Sequence, residues 1–324
     1  MPRDPDALRA RLGDRRLALW AEGHVLHVAY RGPAENPQVV GVDVQLSRVD
    51  GDLWAGQMTI ERLDEAVFQI FEPTERGELI TRDHVHVWRG PLAPPELPYV
   101  HVVPADHRLP FLGGERGVHV YRPAGIDGPL PAVCMADGEA LQGFAGLVES
   151  MIRARDLPPV ILVGVESGDN DERAREYLPL DDPERFTAHL GFVVDQVIPW
   201  ARDTVQASGV WLAAGFSNGA VWALNAAQRR PDVFRGVVAL SPGIPPELCA
   251  PQTASAPHYI AAGTQERGFR RAAAKWAKTL DERGAAVQHR EWIGGHDEYW
   301  WRQHLPAGLR FVLKAESGSP SPAP

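Results

Sequence analysis

From residue 117 onward, short apolar segments alternate with longer segments that have helical periodicity. Runs of almost continuous hydrophobic residues, typical of strands buried on both faces, lie at 117–121, 132–136, 160–165, 210–214, 237–240 and 259–262. Helices are predicted between and after these runs, at 141–155, 184–206, 218–230, 266–283 and 298–314. Strands that alternate with helices indicate an α/β fold with a doubly wound, mostly parallel sheet.

The first 95 residues have a different pattern. Short strand-like segments lie at 25–30, 39–44, 53–58 and 66–71, separated by glycine, proline, asparagine and aspartate. This spacing predicts a small β-sandwich domain over residues 1–95. The proline-rich stretch 92–98 is expected to be a stiff linker, and the α/β domain is predicted to occupy 96–315. The tail at 316–324 is expected to be disordered.

Composition and charge exclude several classes of partner. The 324 residues are 44% hydrophobic and 23% charged, which is typical of a folded globular protein. The net charge of −9 disfavours nucleic acid and anionic membranes as partners, and no apolar run is long enough to span a bilayer. The N-terminal residues lack the apolar core of a secretory signal, so a cytoplasmic location is expected. Cys134 and Cys249 form no metal-binding motif, and Cys134 is expected to be a core residue.

The strongest candidate chemistry lies at 215–219, which reads Gly-Phe-Ser-Asn-Gly. This segment follows the apolar run 209–214 and precedes 220–227, which is rich in helix formers, so a strand–turn–helix context is predicted. Glycines two positions either side of the serine allow a tight turn that exposes the hydroxyl. The pattern therefore favours Ser217 as the nucleophile of a serine hydrolase.

A serine hydroxyl needs a base that takes its proton and a third group that orients the base. In a fold of this type these residues follow the chain order serine, acid, histidine. His296 is the candidate base, because it follows the strand-like segment 287–292 and two glycines that allow a close approach. Glu266, after the preceding strand, is the candidate acid. Asp297 is the alternative, although adjacent residues seldom have the geometry to meet across an imidazole.

Acyl transfer also needs backbone N–H groups that stabilise the oxyanion. The amide of Asn218, directly after the candidate nucleophile, is expected to supply one donor. The second is expected from the loop 137–140, which follows an apolar run. Glu139 is the preferred residue there, with Gly138 as the alternative.

Five segments together have the motifs of one family. They read Asp-Gly-Glu at 137–139, Arg-Ala-Arg-Glu-Tyr-Leu-Pro at 173–179, Gly-Phe-Ser-Asn-Gly at 215–219, Gly-Thr-Gln-Glu at 263–266 and Gly-Gly-His-Asp-Glu-Tyr-Trp-Trp-Arg at 294–302. In these segments the chain resembles the esterase D-type α/β-hydrolases, and most closely their enterochelin (siderophore) esterase branch. The stretch 46–54 is similar to the β-domain that precedes the hydrolase in that branch.

The resemblance implies an α/β-hydrolase that cleaves carboxylic esters without a metal or organic cofactor. The siderophore branch cleaves the trilactone of catecholate siderophores, whereas relatives cleave feruloyl, acetyl or simple acyl esters. The acidic loop 166–172 departs from what a strongly anionic ferric catecholate requires, so the acyl and alcohol parts of the substrate stay open. Arg173 and Trp301 are candidate substrate-binding residues. Trp301 matches the family's Trp-Arg position, where tryptophan more often anchors the C-terminal helix.

A serine ester hydrolase that works through an acyl-enzyme on a small-molecule ester is therefore the leading hypothesis. A non-catalytic binding protein on a hydrolase fold is the alternative from another class, and it would not react with a fluorophosphonate probe. An acyltransferase would instead form a new ester with an added alcohol. Whether the chain forms a homodimer stays open.

Overall fold

The computed structural model describes residues 4–33, 35–37, 39, 41–42, 44–71, 85–249 and 256–317. The chain forms two compact units. The first consists of Met1–Pro95, Gly263–Glu266 and Trp292–Trp300, and the second of Glu96–Ala262, Arg267–Glu291 and Trp301–Pro324. The first unit thus includes two short segments from the C-terminal part of the sequence.

The first unit contains two antiparallel sheets. The larger has the strand order β1 (Leu17–Glu22), β2 (Val25–Arg31), β4 (Leu53–Thr59) and β3 (Ser47–Asp50), and the smaller pairs β5 (Val67–Phe71) with β6 (Val85–Arg89). Successive residues of β1 point to opposite faces, so Leu17 and Ala18 are buried in different clusters. Leu8 and Leu12 of helix α1 (Pro5–Leu12) belong to the cluster of Ala18. The two sheets confirm the predicted β-structure at the N-terminal end.

The strand predicted at 39–44 is wrong for its described residues. Val39, Val42 and Val44 are buried, but none of them lies in a strand. Gly41 interrupts the extended chain with a φ of 103°, and a Cβ at this position would lie 2.0 Å from the carbonyl oxygen of Gln69. These valines pack in the hydrophobic core of the first unit, so their spacing reflects burial and does not indicate a strand.

An eight-stranded sheet forms the centre of the second unit. Its strands are β7 (Ala105–Phe111), β8 (Gly114–Tyr121), β9 (Leu130–Ala136), β10 (Ile161–Val165), β11 (Ala207–Phe216), β12 (Phe234–Leu240), β13 (His258–Gly263) and β14 (Val287–Trp292). Their order in the sheet is β14-β13-β12-β11-β9-β10-β8-β7. The pairs from β10 to β13 are parallel, whereas β8 is antiparallel to both β7 and β10. This architecture confirms the predicted α/β fold class.

Seven helices accompany this sheet among the described residues. They are α2 (Leu141–Arg153), α3 (Asn170–Tyr177), α4 (Pro183–Phe192), α5 (Ile198–Val205), α6 (Asn218–Arg229), α7 (Arg267–Glu282) and α8 (Glu298–Ser317). The single helix predicted at 184–206 is two helices, because a π-helical segment at Val193–Val197 joins α4 to α5. Pro199 has no N–H to donate to the carbonyl of Asp195, so the regular α-helical bonding cannot continue there.

Helix α3 was not predicted, since residues 166–172 have the composition of an acidic loop. Asp169 begins the helix by accepting a hydrogen bond from a first-turn amide. The fully buried carboxylate of Glu176 accepts hydrogen bonds from Arg116 on β8, at 2.9 and 2.6 Å, and from Arg185 on α4, at 3.1 Å. These bonds attach α3 to the sheet.

The C-terminal helix extends further than predicted. Residues 316 and 317, expected in a disordered tail, end helix α8, and residues 318–324 of that tail lie outside the described residues. The expected linker has neither helix nor strand over residues 93–98. None of the described helices combines the length and apolar character that crossing a membrane requires.

Cys134 lies on β9 in the main core and is fully buried. Burial raises the pKa of its thiol to about 12. A thiol in this environment stays protonated at neutral pH, so Cys134 does not supply a thiolate nucleophile.

Candidate active site

Ser217 lies at the turn between β11 and α6 in a strained backbone conformation. Its φ of 56° and ψ of −124° are unusual for a residue with a side chain. The turn is fixed on both sides: the N–H of Ser217 donates to the carbonyl of Leu240 on β12 at 2.9 Å, and its carbonyl accepts from the amide of Ala220 at 3.1 Å. A strained serine between a strand and a helix is the geometry of a nucleophile elbow.

The two glycines of the elbow are required by close contacts. A Cβ on Gly215 would lie 2.3 Å from the carbonyl oxygen of Gly219. A Cβ on Gly219 would lie 2.8 Å from the Cβ of Ala136 and 3.0 Å from Oδ2 of Asp137. The spacing of glycines around the serine therefore has a steric cause.

Aromatic side chains pack behind the elbow. Phe216 stacks on Trp301 with ring centroids 4.5 Å apart and on Phe144 with centroids 5.8 Å apart. Trp301, a candidate substrate-binding residue in the sequence, is 8% exposed, and its indole N–H donates to Oγ of Ser241 at 3.0 Å. In this arrangement Trp301 supports the residue that precedes the serine.

The loop after β9 carries the second expected oxyanion donor. Asp137 has a left-handed φ of 58°, and Gly138–Ala140 form a short 3₁₀ turn. The backbone N–H of Asp137 donates to the hydroxyl of Tyr177 on α3 at 2.9 Å. The side chain of Glu139 accepts from Oγ of Ser167 at 2.8 Å. Both bonds fix the loop that contains the Glu139 amide. Tyr177 has no assigned role in the sequence analysis, because α3 itself was not predicted.

Arg173 points at the same loop. Its Nε lies 2.5 Å from Oδ1 of Asp137 and its Nη2 lies 2.8 Å from Oδ2. Burial raises the pKa of Asp137 and the guanidinium of Arg173 opposes that shift. Arg173, a candidate substrate-binding residue in the sequence, is thus bonded to a buried carboxylate.

Glu266 and His296 are in direct contact. Nδ1 of His296 is hydrogen-bonded to Oε1 of Glu266, and the second oxygen of the carboxylate accepts from the N–H of Gly263. The side chain of Glu266 is 1% exposed and that of His296 is 32% exposed. When Nδ1–H donates to a carboxylate, Nε2 is the ring nitrogen that can accept a proton, as a general base requires.

Backbone contacts hold the two loops that carry these side chains together. The N–H of Thr264 donates to the carbonyl of Trp292 at 2.9 Å, and that of Gln265 to the carbonyl of Gly294 at 3.0 Å. A Cβ on Gly263 would lie 2.4 Å from the oxygen of Gly294. Glycine at position 263 therefore permits the close approach that brings the carboxylate to the imidazole.

The histidine loop also packs on β5 within the first unit. The carbonyl of Ile293 accepts from the N–H of Val67 at 3.2 Å, and the carbonyl of Val67 accepts from the indole of Trp300 at 2.9 Å. A Cβ on Gly295 would lie 2.4 Å from the carbonyl oxygen of Gly41. The sequence gives no signal for these contacts, because they join segments far apart in the chain.

Asp297, the alternative acid, has a different environment. Its Oδ1 accepts from the amide of Trp300 at 3.2 Å and so caps α8, while its Oδ2 is buried without a hydrogen-bond partner among the described residues. Burial raises the pKa of Asp297 to about 8, and the negative charge of Glu266 adds to the increase. Asp297 is therefore mostly a neutral carboxylic acid at pH 7.

Over the part of the chain that the structure describes, no group of three or more histidine, cysteine, aspartate or glutamate side chains is placed to hold a metal ion.

Comparisons with known proteins agree with this picture. The model of a family described as putative esterase matches residues 110–264, and comparison with curated proteins gives no match. The fold is similar to that of the enterochelin esterase from Shigella flexneri, with a TM-score of 0.69, 18% identity and coverage of 97% of this chain and 99% of that one. It is also similar to the ferric enterobactin esterase from Salmonella typhimurium, with a TM-score of 0.67, 18% identity and coverage of 92% and 96%. A ferulic acid esterase matches with a TM-score of 0.54 and 19% identity over 65% of this chain and 97% of that one.

Replacing Asp297 with asparagine is expected to stabilise the protein at neutral pH. The folded-state pKa of about 8 lies above the ordinary value of 3.8, so the folded protein binds an extra proton between these values. Wild-type stability therefore falls as pH rises through this window, whereas a neutral asparagine is insensitive to pH. The melting temperature of Asp297→Asn minus that of the wild type should increase between pH 4 and pH 8 by at least about 2 °C.

The matched control is Asp182→Asn, which alters the residue that caps α4. The amide of Arg185 lowers the pKa of Asp182, so this variant should lose stability relative to the wild type as pH rises. A difference for Asp297→Asn that does not change with pH contradicts the assignment of a neutral, buried acid.

Proposed function

We propose that the carboxylic ester hydrolysis indicated by the esterase family of residues 110–264 proceeds through an acyl-enzyme on Ser217. The single observation that carries this proposal is a strained serine at an elbow, in a chain that also contains a histidine bonded to a buried carboxylate. A hydroxyl, an imidazole and a carboxylate in the chain order serine, acid, histidine are the groups that serine hydrolysis uses.

In the proposed mechanism, Oγ of Ser217 attacks the ester carbonyl carbon while Nε2 of His296 takes the hydroxyl proton. Glu266 accepts a hydrogen bond from Nδ1–H, holds the required tautomer and stabilises the imidazolium. The imidazolium then protonates the departing alkoxide, which leaves an acyl-serine. Water attacks this ester with His296 again as the base, the bond between the acyl carbon and Oγ breaks, and the imidazolium returns its proton to Oγ, which gives the acid product and free Ser217.

The amides of Asn218 and Glu139 are proposed to stabilise the tetrahedral oxyanion. Asn218 is the first residue of α6, where N–H groups have no partner within the helix and the helix dipole favours negative charge. Glu139 lies on the turn after β9, and β9 is the neighbour of β11 in the sheet. Both donors thus come from backbone whose conformation is fixed before substrate binds.

We further propose that the substrate is the trilactone of a catecholate siderophore. The enterobactin esterases share their fold with nearly the whole of this chain, including the first unit, whereas the ferulic acid esterase matches a smaller part. The acidic loop at 166–172 should repel an anionic substrate less than its composition implies, because three of its carboxylates have partners within the protein. Glu166 lies 2.9 Å from Nε2 of His119, Asp169 caps α3, and Glu172 is paired with Arg185.

Replacing Ser217 with alanine is expected to lower kcat by at least about a thousandfold, because the variant has no nucleophile. Turnover of p-nitrophenyl acetate measures this loss. Mass spectrometry after treatment with a fluorophosphonate should locate the adduct on Ser217 of the wild type.

The control is Ser208→Ala, at the start of the same strand, which should retain kcat within about twofold and label normally. Full activity of Ser217→Ala contradicts the proposed mechanism. An unlabelled wild type without esterase activity supports the binding-protein alternative. A new ester formed in the presence of an added alcohol would identify an acyltransferase.

Replacing Glu266 with glutamine is expected to lower kcat at least about a hundredfold with little change in KM, because an amide no longer holds the imidazole tautomer. The comparison variant is Asp297→Asn, which alters the other carboxyl group next to the histidine and should lose less than about tenfold. Steady-state kinetics of both variants at one pH separate the two acids. A greater loss of kcat in Asp297→Asn than in Glu266→Gln would indicate that Asp297, and not Glu266, orients the imidazole.

A substrate panel tests the siderophore proposal. The iron-free and ferric forms of the catecholate trilactone enterobactin are compared with methyl ferulate and p-nitrophenyl acetate. The trilactone should have a kcat/KM at least about a hundredfold higher, since binding of its remote catechols contributes to the transition state. A higher value for methyl ferulate would favour a feruloyl esterase while leaving the serine mechanism intact.

A further inference from the structure

The carboxylate of Asp137 lies against the first turn of α6. A Cβ on Gly219, the second residue of the helix, would be 3.0 Å from its Oδ2. The side chain of Asp137 is 5% exposed, so water does little to screen its charge. A buried negative charge at the N-terminal end of a helix occupies the same favourable potential that an oxyanion at Ser217 would use.

Arg173 is the cation that faces this carboxylate. Its two bonds to Asp137, at 2.5 and 2.8 Å, form the bidentate geometry that pairs guanidinium with carboxylate most strongly. Its guanidinium carbon lies 5.4 Å from the ring centroid of Tyr177, whose hydroxyl accepts the backbone N–H of Asp137. Helix α3 thus contacts the loop in two ways: Arg173 pairs with the carboxylate of Asp137, and Tyr177 bonds to its backbone.

Helix α3 is itself held in place by buried charges. Glu176, three residues after Arg173, accepts bonds from Arg116 and Arg185 on two neighbouring elements. The position of the Arg173 guanidinium therefore does not depend on bound substrate. With Asp137 as its bonding partner, Arg173 is suited to neutralise that carboxylate.

We propose that Arg173 is a positioning residue that promotes catalysis by neutralising Asp137, so that the buried carboxylate does not repel the oxyanion formed at Ser217. This role rests on the proposed serine mechanism. It differs from substrate binding, because it acts through Asp137 and affects the charged transition state more than the neutral ester. Removal of the cation should consequently lower kcat, and removal of both charges should restore part of it.

The test compares Arg173→Met, Asp137→Asn and the double variant on p-nitrophenyl acetate. Arg173→Met should lower kcat by about 10- to 100-fold, less than the loss expected from deleting an oxyanion donor outright. The double variant should exceed Arg173→Met by at least about fivefold, with KM within about threefold of the wild type. The control Arg175→Met removes an exposed arginine from the same helix and should change kcat by less than about twofold.

A pH profile separates neutralisation of charge from simple support of the fold. Arg173, Glu139 and the hydroxyl of Tyr177 face Asp137, and of these only Arg173 is a cation. Without it the pKa of Asp137 rises further, because burial and Glu139 still disfavour the charged form. The ratio of kcat in Arg173→Met to kcat in the wild type should therefore increase as pH falls, since a protonated Asp137 no longer repels the oxyanion.

Several results would overturn this role. They are a double variant no more active than Arg173→Met, a ratio that does not change with pH, or an effect confined to KM, which would indicate substrate contact. If Arg173→Met does not fold, Arg173→Lys replaces it: a lysine keeps the charge, so kcat should fall less than about tenfold. Full activity of Ser217→Ala refutes the serine mechanism itself, whereas an inactive Ser217→Ala with no recovery in the double variant refutes only the role of Arg173.

Discussion

Ser217 has backbone dihedrals that a residue with a side chain adopts only when its surroundings impose them. The surroundings here are helix α6 behind the serine, buried from Gly219 to Gln228, strand β12 beside it, and two glycines whose missing side chains make room for the turn. Strain of this kind costs on the order of 1–3 kcal/mol, which the packing of the helix on the sheet must offset. The positions of the Ser217 hydroxyl and of the first amides of α6, and the aromatic support from Trp301, all depend on that one turn.

Buried carboxylates in this chain are stabilised in two ways. Asp137 and Glu176 are each hydrogen-bonded to arginine, Asp137 to Arg173 and Glu176 to Arg116, and these partners compensate for the burial of the two carboxylates. Asp297 is hydrogen-bonded to the backbone amide of Trp300 and not to a cation among the described residues, and burial favours its neutral form. The carboxylate of Glu266 differs from all three, because its buried oxygen is hydrogen-bonded to the imidazole of His296.

The parts of the fold that follow from local pattern were accessible from the sequence. Continuous apolar runs identified strands that are buried on both faces, and the glycine spacing identified the elbow, because each of these patterns is visible within a few consecutive residues. Helix α3 was not accessible: its sequence is strongly polar, and its buried Glu176 is bonded to Arg116 and Arg185 on two other elements. The strand at 39–44 was predicted wrongly for a related reason, since valines buried by tertiary packing have the composition of a strand.

The first unit contains the two side chains that the proposed mechanism uses as acid and base, Glu266 and His296. The loop that carries His296 belongs to this unit, and it is bonded to β5 through Ile293 and Trp300. A loop with two glycines has little conformational preference of its own, so such external bonds must determine where the imidazole lies. The esterase-family match ends at residue 264, before both Glu266 and His296. The proposed acid and base therefore both lie beyond the matched segment, in stretches of chain that belong to the first unit.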